Sequence, residues 1–290
     1  MDTRDLATFA TVARLGGMGR AARALNTVQS NVTQRVRRLE ESLGVALFER
    51  SRAGARLTAA GQRLMPYAAR LDALLEEAGR AARDDGAPRG MLSLGSLETT
   101  AALRLSSLLA SYAAAYPQVD LVLRTGTTGE LIERVLSREL EGAFVCGPLA
   151  HAELVATPMF EEELALLSAP TNRTIKDLLQ QPDLRLIILR AGCSYRQRLE
   201  ELLARRGIVG LRRLEFGTLE AILGAVAAGL GVTLMPRALV GPTWRGGQLA
   251  VHRLPKSEAR VQTLFVRRCD MLCSSALVAF QKHVGRGKAR

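Results

Sequence analysis

The residues best suited to molecular recognition in this chain are four polar side chains close together in sequence: Gln29, Ser30, Thr33 and Gln34. Their amide and hydroxyl groups donate and accept hydrogen bonds, as the edges of DNA bases require. Four apolar residues accompany them at i, i+4, i+8 and i+11, the spacing of one helical stripe: Val28, Val32, Val36 and Leu39. The pattern predicts a helix that buries the apolar stripe and presents the polar residues outward.

The alternative is that this polar face is only a solvated surface, and periodicity alone leaves the two interpretations about even. Charge favours nucleic acid. The first 70 residues contain 12 arginines, no lysine and five acidic residues, so they carry +7 of the formal net charge of +12. Guanidinium groups bind phosphates and guanine through paired hydrogen bonds. We therefore expect a DNA-contacting surface that includes Arg20 and Arg37.

Two shorter helices are predicted before the polar helix. Apolar residues between Leu6 and Ala13 make the first one amphipathic. The second contains Ala21, Ala22, Ala24 and Leu25. Small alanine side chains let two helices cross closely, as a helix-turn-helix requires. Asn26 and Thr27 form the turn before the third helix, and either of them can cap it.

After the polar helix, residues 51 to 55, with Gly54, predict the turn of a short wing hairpin. The whole segment resembles the winged helix-turn-helix of LysR-type transcriptional regulators. The matching residues are Phe9, Ala21-Ala22, Leu25, Gln29-Ser30, Leu39-Glu40, Leu43-Gly44, Leu47-Phe48-Glu49-Arg50, Leu57-Thr58 and Gly61. One departure is Gly17-Met18-Gly19, where the family usually has Ser-Phe followed by a hydroxyl residue that caps the second helix. The resemblance implies that Gln29, Ser30, Thr33 and Gln34 face the major groove and that Arg50 and Arg52 lie at the wing.

Residues 58 to 83 predict a long helix that pairs with a second copy of the chain. Two rows of seven-spaced residues run along it: Leu64, Leu71 and Ala78, and Tyr67, Leu74 and Ala81. Seven-residue spacing is typical of a helix–helix seam. The alternative is a helix that packs on its own domain. Asp84 to Gly90 then ends the helix with turn formers and a proline, and the family uses such a helix to pair two DNA-binding units on an imperfectly palindromic site.

Residues 91 to 290 alternate between predicted strands and helices, which favours mostly parallel sheets with ligands at the strand ends. The family implies a two-subdomain sensor domain similar to a periplasmic binding protein, and the resemblance covers essentially the whole chain. We expect an all-α winged helix-turn-helix at 1–60, a linker helix and hinge at 58–89, and an effector-binding α/β domain at 90–290. Subdomain I is expected at about 90–160 and 265–290, and subdomain II at about 161–264.

Hydroxyl residues stand where several helices of this α/β domain are predicted to begin: Thr99-Thr100, Thr127-Thr128, Ser194 and Thr218. Each can be a simple N-cap, but together they are typical of a cleft that binds an anion at helix N-termini. By position, the family's effector contacts fall at Thr99, Thr100, Thr128, Cys146, Ser194, Tyr195, Arg196 and Thr218. Arg196 is the expected partner of a carboxylate. We predict a small organic anion or an amino-acid-like effector.

The sequence gives little support to other chemistry. Four cysteines without a CxxC pair and three histidines predict no metal site and no cofactor. Reduced, structural thiols are the expectation, with thiol sensing at Cys193 as the alternative. No GxSxG motif, P-loop or GxGxxG follows a strand, which argues against an enzyme. Without a signal peptide or an apolar run of about 20 residues, a soluble cytoplasmic protein is expected.

The interpretation that uses every part is a sequence-specific transcriptional regulator controlled by a small-molecule effector. Its expected partners are double-stranded promoter DNA, the effector and a second copy of the chain, with a homotetramer and RNA polymerase as further candidates. The alternatives are a non-specific architectural DNA-binding protein, which leaves about 200 residues of α/β domain unexplained, and an α/β enzyme.

Overall fold

The computed structural model describes residues 1–51, 54–172, 174–179, 181, 183–189, 194–240 and 247–287. The chain divides into two compact units, Met1–Asp84 and Asp85–Arg290. Each unit has a hydrophobic core of its own.

The first unit consists of helices and one antiparallel hairpin. Its elements are α1 (Thr3–Leu15), α2 (Met18–Ala24), α3 (Gln29–Leu43), β1 (Phe48–Ser51), β2 (Gly54–Leu57) and α4 (Ala59–Arg83). The three predicted short helices, the wing hairpin and the long helix are therefore confirmed. Gly17 precedes α2 without a side-chain cap, as the missing hydroxyl residue predicts.

The core of the first unit lies between α1, α3 and the hairpin. Phe9 and Phe48 meet there with ring centroids 5.3 Å apart. From α3, Val32, Val36 and Leu39 are buried as predicted. Val28, which the spacing predicts to belong to the same stripe, is 65% exposed because it precedes the first turn of the helix.

The long helix α4 has two faces with different roles in this structure. Leu64 and Leu71 pack on the core of the first unit, with Ala68 fully enclosed between them. The prediction that both seven-spaced rows are free for a partner is therefore wrong for the row that contains Leu64 and Leu71. Tyr67 and Leu74 of the other row are 68% and 44% exposed.

The second unit is an α/β structure. Its strands are β3 (Gly90–Ser96), β4 (Val119–Thr125), β5 (Gly142–Cys146), β6 (Leu154–Ser168), β7 (Arg185–Ile188), β8 (Arg212–Glu215), β9 (Thr233–Pro236), β10 (Ala250–Arg253) and β11 (Arg260–Arg268). Its α-helices are α5 (Glu98–Thr100), α6 (Ser106–Ala115), α7 (Thr128–Leu136), α8 (Ile175–Leu179), α9 (Ser194–Ala204), α10 (Leu219–Ala227), α11 (Lys256–Ala259) and α12 (Ser275–Gly287). A π-helical turn, Ala101–Leu105, joins α5 to α6, and a 3-10 turn covers Arg237–Leu239.

The sheets of this unit are mixed, which corrects the prediction of mostly parallel sheets. The strand order of the large sheet is β10-β6-β11-β5-β3-β4, with β9 also paired to β6. Its β3–β4 and β3–β5 pairs are parallel, whereas β5–β11, β6–β11, β6–β9 and β6–β10 are antiparallel. A separate parallel pair is formed by β7 and β8. Both β6 and β11 are antiparallel to every strand with which they pair.

The strand β6 belongs to both halves of the second unit. Residues 154–163 pair with β11, and residues 164–168 pair with β9 and β10. Pro158 has no N–H donor for a strand ladder, which usually confines proline to edge strands or bulges. The structure accommodates Pro158 opposite Leu264, where the register shifts. We name the part built on β3–β5, α5–α7 and α12 the first lobe, and the part built on α8–α10 and β7–β10 the second lobe.

Two apolar clusters fill these lobes. One contains Tyr112, Phe144, Phe265 and Phe280 of the first lobe. The other continues from the first lobe into the second, and its members include Leu131, Val145, Leu166, Leu186 and Ile222. Within the described ranges, no helix is long and apolar enough to cross a membrane, and no group of residues could hold a metal ion.

Candidate nucleic-acid interface and effector cleft

The exposed side of α3 carries the predicted base-contacting residues. Gln29, Ser30 and Gln34 are exposed, and Thr33 is half-buried. Thr33 Oγ1 donates a hydrogen bond to the Gln29 carbonyl oxygen at 2.9 Å, which leaves its oxygen as an acceptor. These residues form one continuous polar strip, and its groups suit base edges.

The helix α3 begins without a side-chain cap. The residue at the cap position is Val28, so the prediction that Asn26 or Thr27 caps α3 is wrong. Asn26 has a φ of 50° in the turn, and Thr27 Oγ1 accepts from Asn31 Nδ2 at 2.9 Å. Uncapped N–H groups at a helix N-terminus are suited to phosphate oxygens.

Gly19 of α2 allows Gln29 to approach closely. A Cβ built at Gly19 lies 3.1 Å from Gln29 Oε1. Any larger residue there would displace the Gln29 side chain. The departure at Gly17-Met18-Gly19 therefore has a local packing consequence for α3.

The four arginines predicted to contact DNA have different surroundings. Arg20 donates through Nε and Nη2 to the carbonyl oxygens of Leu15 and Gly16, so it holds the end of α1. Arg37 is exposed and pairs with Glu41 at 2.8 Å. Arg50 lies in β1, and the structure describes its backbone only. Arg52 lies outside the described residues.

Backbone contacts anchor the wing hairpin to the helices. The N–H groups of Leu47 and Phe48 donate to Glu40 Oε1 at 2.8 and 3.2 Å. Gly54, at a φ of 133°, comes so close to α1 that a Cβ there would lie 2.5 Å from the Gly16 carbonyl oxygen. The sequence singles out Glu40 only through the family resemblance, and the structure adds its physical role.

The junction between the hairpin and α4 is equally close. Thr58 Oγ1 accepts from the Gly61 N–H at 3.1 Å and donates to the Ala46 carbonyl oxygen at 2.7 Å. A Cβ at Gly61 would lie 2.3 Å from the Leu47 carbonyl oxygen. Thr58 and Gly61 thus fix α4 to the start of the wing.

A cleft between the two lobes contains most of the predicted effector positions. Its described lining is Leu97, Glu98, Thr99, Thr125, Gly126, Thr127, Thr128, Cys146, Leu189, Ser194 and Tyr195. The volume of the cleft is about 40 Å³. One water molecule needs about 10–15 Å³. The cleft in this state therefore has room for only a few water molecules.

Hydrogen bonds cross this cleft directly. Ser194 Oγ donates to Thr128 Oγ1 at 3.0 Å, and Thr99 Oγ1 and Tyr195 OH are 3.4 Å apart. Thr128 Oγ1 also accepts from the Cys146 N–H at 3.3 Å. Because these groups bond to one another, a ligand has to replace some of these bonds.

Three predicted effector residues are not among the described residues that line the cleft. Thr100 is buried in α5. Thr218 caps α10 by accepting from the Ala221 N–H at 3.2 Å. Arg196, which is expected to bind a carboxylate of the ligand, pairs through its Nε with Glu200 on the same helix, at 3.3 Å. This i,i+4 pair on α9 is an alternative to a cleft contact for Arg196, and Glu200 also pairs with Arg213 at 2.9 Å.

Two carboxylates occupy helix N-termini at or near the cleft. Thr127 and Glu130 form a reciprocal capping box at α7, with 2.9 Å from the Thr127 N–H to Glu130 Oε2. Glu98 Oε1 accepts from the Leu219 N–H at the start of α10, at 3.3 Å. Glu98 is not among the residues that the sequence predicts for the cleft, although it directly precedes Thr99-Thr100.

Three further titratable groups of the second unit bond to other residues of the same unit. Arg104 forms a two-pronged pair with the buried Glu162 at 2.7 and 3.1 Å, which raises the pKa of Arg104. His252 bonds Ser168 Oγ at 2.8 Å, and burial lowers the pKa of His252. The hydrogen bond from Arg268 lowers the pKa of Asp270.

The cysteines do not form a cluster in the described chain. Cys146 is buried beside the cleft, Cys273 is half-buried and Cys269 is exposed. Cys193, the candidate for thiol sensing, lies outside the described residues.

Comparison with known proteins gives matches over both units. A family model described as "Bacterial regulatory helix-turn-helix protein, lysR family" matches residues 3–62, and one described as "LysR substrate binding domain" matches residues 85–288. The chain is 40% identical to the transcriptional regulator GltR of Bacillus subtilis over 284 residues, covering 98% of this chain and 96% of GltR. It is also 40% identical to YofA of the same organism, covering 99% of this chain and all of YofA.

Solved structures give a consistent result. The regulator CbnR, a LysR family member, superposes with a TM-score of 0.70 at 24% identity and covers 99% of both chains. A structure of full-length CbnR with its target DNA gives a TM-score of 0.69 at 26% identity, with 99% of both chains covered.

Proposed function

Because this chain belongs to the LysR-type family of transcriptional regulators, we propose that α3 contacts the bases of promoter DNA through Gln29, Ser30, Thr33 and Gln34. The chain is a DNA-binding transcriptional regulator, and its second unit is the effector-binding domain of that family. The observation that carries the base-contact assignment is the exposed polar strip of α3, which begins at an uncapped helix end. Its amides and hydroxyls suit base edges, and the free N–H groups suit phosphates.

The arginines of the first unit supply affinity in this proposal. Arg37, Arg50 and Arg52 contact phosphates, whereas Arg20 shapes the end of α1. Phosphate contacts carry little sequence information but make binding depend on salt. The proposal thus separates residues that set sequence preference from those that set overall affinity.

A matched pair of variants tests this separation. Gln34→Ala should change the preferred sequence in a selection from random DNA, with a loss of about 1–3 kcal/mol at the base it contacts. Arg52→Ala should weaken binding to all sequences and reduce the salt dependence by about one counterion. An unchanged preferred sequence in Gln34→Ala would remove the base-contact assignment.

We propose that the protein works as a homodimer through α4. Tyr67 and Leu74, seven residues apart on α4, are 68% and 44% exposed, and Leu75 beside them is 49% exposed. Apolar side chains spaced in this way are typical of a helix–helix seam. A dimer places two recognition helices on half-sites about one helical turn apart. A homotetramer and contact with RNA polymerase are further proposals.

The dimer proposal is tested by sedimentation of Leu74→Asp. A buried aspartate at the seam should shift the protein to monomers at micromolar concentration, because an unpaired charge is costly in an apolar interface. Val209→Asp, at a side chain 76% exposed in the second unit, serves as the control. A stable dimer in Leu74→Asp would place the interface elsewhere.

We propose that an effector binds in the cleft and changes the DNA-bound state. A ligand that prefers one arrangement of the lobes shifts the population toward it. The change in arrangement alters the spacing of recognition helices and the bend of the DNA. The direct hydrogen bonds across the cleft support this, since a ligand must exchange them.

The two alternatives predict different observations. A non-specific architectural protein would give uniform, salt-sensitive protection of DNA, whereas a regulator gives a bounded footprint. Relatives along the whole chain are transcriptional regulators, which points away from an enzyme. Footprinting on the DNA upstream of the protein's own and neighbouring genes decides between the classes.

A further inference from the structure

We infer that the cleft binds a small ligand through a protonated amine, with Glu98 as its counter-charge. This inference rests on the proposed function of the cleft as the effector site. It departs from the sequence-based expectation of an anion held by Arg196, because Arg196 pairs with Glu200.

The charge of the cleft is the first observation. Among the described lining residues, Glu98 carries the one charged side chain. The remaining polar groups are the hydroxyls of threonine, serine and tyrosine, and the apolar part includes Leu97 and Leu189. A carboxylate surrounded by hydroxyls and apolar walls favours a cationic nitrogen over an anion.

The helix N-termini give the second observation. The N-terminus of α10 already receives the carboxylate of Glu98 through the Leu219 N–H. The N-terminus of α7 receives Glu130 through its capping box. At these two helices, the position that would attract a ligand carboxylate thus holds a carboxylate of the protein itself.

The hydrogen bonds of Glu98 give the third observation. A carboxylate has about four acceptor positions, and within the described chain the Leu219 N–H is the donor recorded for Glu98, at Oε1. Oε2 is therefore the atom that a ligand ammonium can reach. A half-buried carboxylate gains from such a partner, because it has given up part of its hydration.

The size of the cleft restricts the ligand further. With Thr128 bonded to Ser194 and Thr99 near Tyr195, the closed cleft holds only a few water-sized groups. The ammonium therefore belongs to a compact molecule such as a short amine or a small amino acid. Its remaining polar groups exchange hydrogen bonds with the same hydroxyls.

Titration calorimetry of the full-length protein with three matched ligand sets tests the inference. The sets are short primary amines and diamines, small α-amino acids, and the same amino acids with the amino group acetylated or removed. At least one free amine or amino acid should bind, and its acetylated or deaminated counterpart should bind at least tenfold more weakly. Binding of simple amines as well as amino acids would show that a ligand carboxylate is dispensable.

The matched variants are Glu98→Gln and Glu220→Gln. The first keeps an acceptor for the Leu219 N–H and removes the charge from the cleft; the second removes the same charge from an exposed position one residue beyond Leu219. Glu98→Gln should weaken binding of the amine at least tenfold, and Glu220→Gln should leave it within about twofold. Equal affinity in wild type and Glu98→Gln overturns the inference, as does the absence of binding across all three sets.

A third variant distinguishes a site for anions from a site for amines. Arg190 follows the cleft residue Leu189 in sequence and lies outside the described residues. If a deaminated acid binds, loses affinity in Arg190→Gln and changes the DNA footprint, the effector function stands and the amine inference is refuted. If a bound amine leaves the footprint unchanged, the regulatory role proposed for the cleft fails instead.

Discussion

Alanine at two glycines of the same helix should have opposite effects on stability. In Gly61→Ala, the new Cβ lies 2.3 Å from the Leu47 carbonyl oxygen and 2.9 Å from Leu57 Cδ2. In Gly79→Ala, the nearest atoms belong to the flexible guanidinium of Arg83, at 3.5 Å or more. The substitution is the same in both variants, so the difference isolates the contact between α4 and the wing.

The magnitudes follow from two terms. Alanine stabilises a helix interior by about 1 kcal/mol relative to glycine, and Gly79→Ala should gain most of this. Gly61→Ala gains less because it lies in the first turn, and it must move backbone by about 1 Å, at a typical overpacking cost of about 1–3 kcal/mol. We expect a net loss of about 2 kcal/mol at Gly61 and a gain of about 0.5–1 kcal/mol at Gly79.

The assay is hydrogen exchange of the full-length protein, read by mass spectrometry on peptides that cover residues 44–60. Local opening free energies of the wing should fall in Gly61→Ala and remain unchanged in Gly79→Ala. Calorimetry of the same samples gives the change in overall stability, and DNA affinity should fall only in Gly61→Ala. A Gly61→Ala protein with wild-type exchange in the wing and wild-type melting would refute the close approach of α4 to Leu47.

Three further outcomes follow from single contacts. Glu40→Ala should cost about 1–3 kcal/mol and speed exchange at Leu47 and Phe48, because two N–H groups lose their acceptor; protection equal to wild type would contradict this. Arg104→Ala should lower the free energy of unfolding of the second unit by about 1–3 kcal/mol in urea titrations, because it leaves the buried Glu162 unpaired. As a control, Arg205→Ala removes an exposed ion pair and should lower the same quantity by less than about 0.5 kcal/mol. Because burial lowers the pKa of His252 below its ordinary 6.5, its contribution to stability is complete above that value and declines as the pH falls further. His252→Asn should therefore flatten the fall in melting temperature as the pH drops below about 6.5, and an unchanged profile would exclude this residue as the cause.

The elements of the fold follow from local patterns to a large extent. Val32, Val36 and Leu39 repeat with helical period and are buried, and the hydroxyl at Thr218 caps α10 as the sequence predicts. Such patterns depend on neighbours along the chain, which the sequence contains.

Three outcomes that the sequence does not predict concern partners that are distant in sequence or compete locally. Arg196 has a carboxylate one turn away, at Glu200, and pairs with it instead of lining the cleft. Leu64 and Leu71 have the spacing of a seam, yet the core of their own unit covers them. The role of Glu98 depends on Leu219, which is 121 residues away, and no spacing rule links the two.

The path of β6 and β11 has a consequence for the order in which this protein is made. The aromatic cluster of the first lobe needs Phe144 together with Phe265 and Phe280. A growing chain has therefore completed the DNA-binding unit, which ends at Asp84, and the strands of the second lobe before the first lobe can close. During that interval β3, β4 and β5 lack the strand and the helix that cover them. Ribosome-bound chains that stop before residue 260 should therefore present an apolar sheet to chaperones while their DNA-binding unit is already folded.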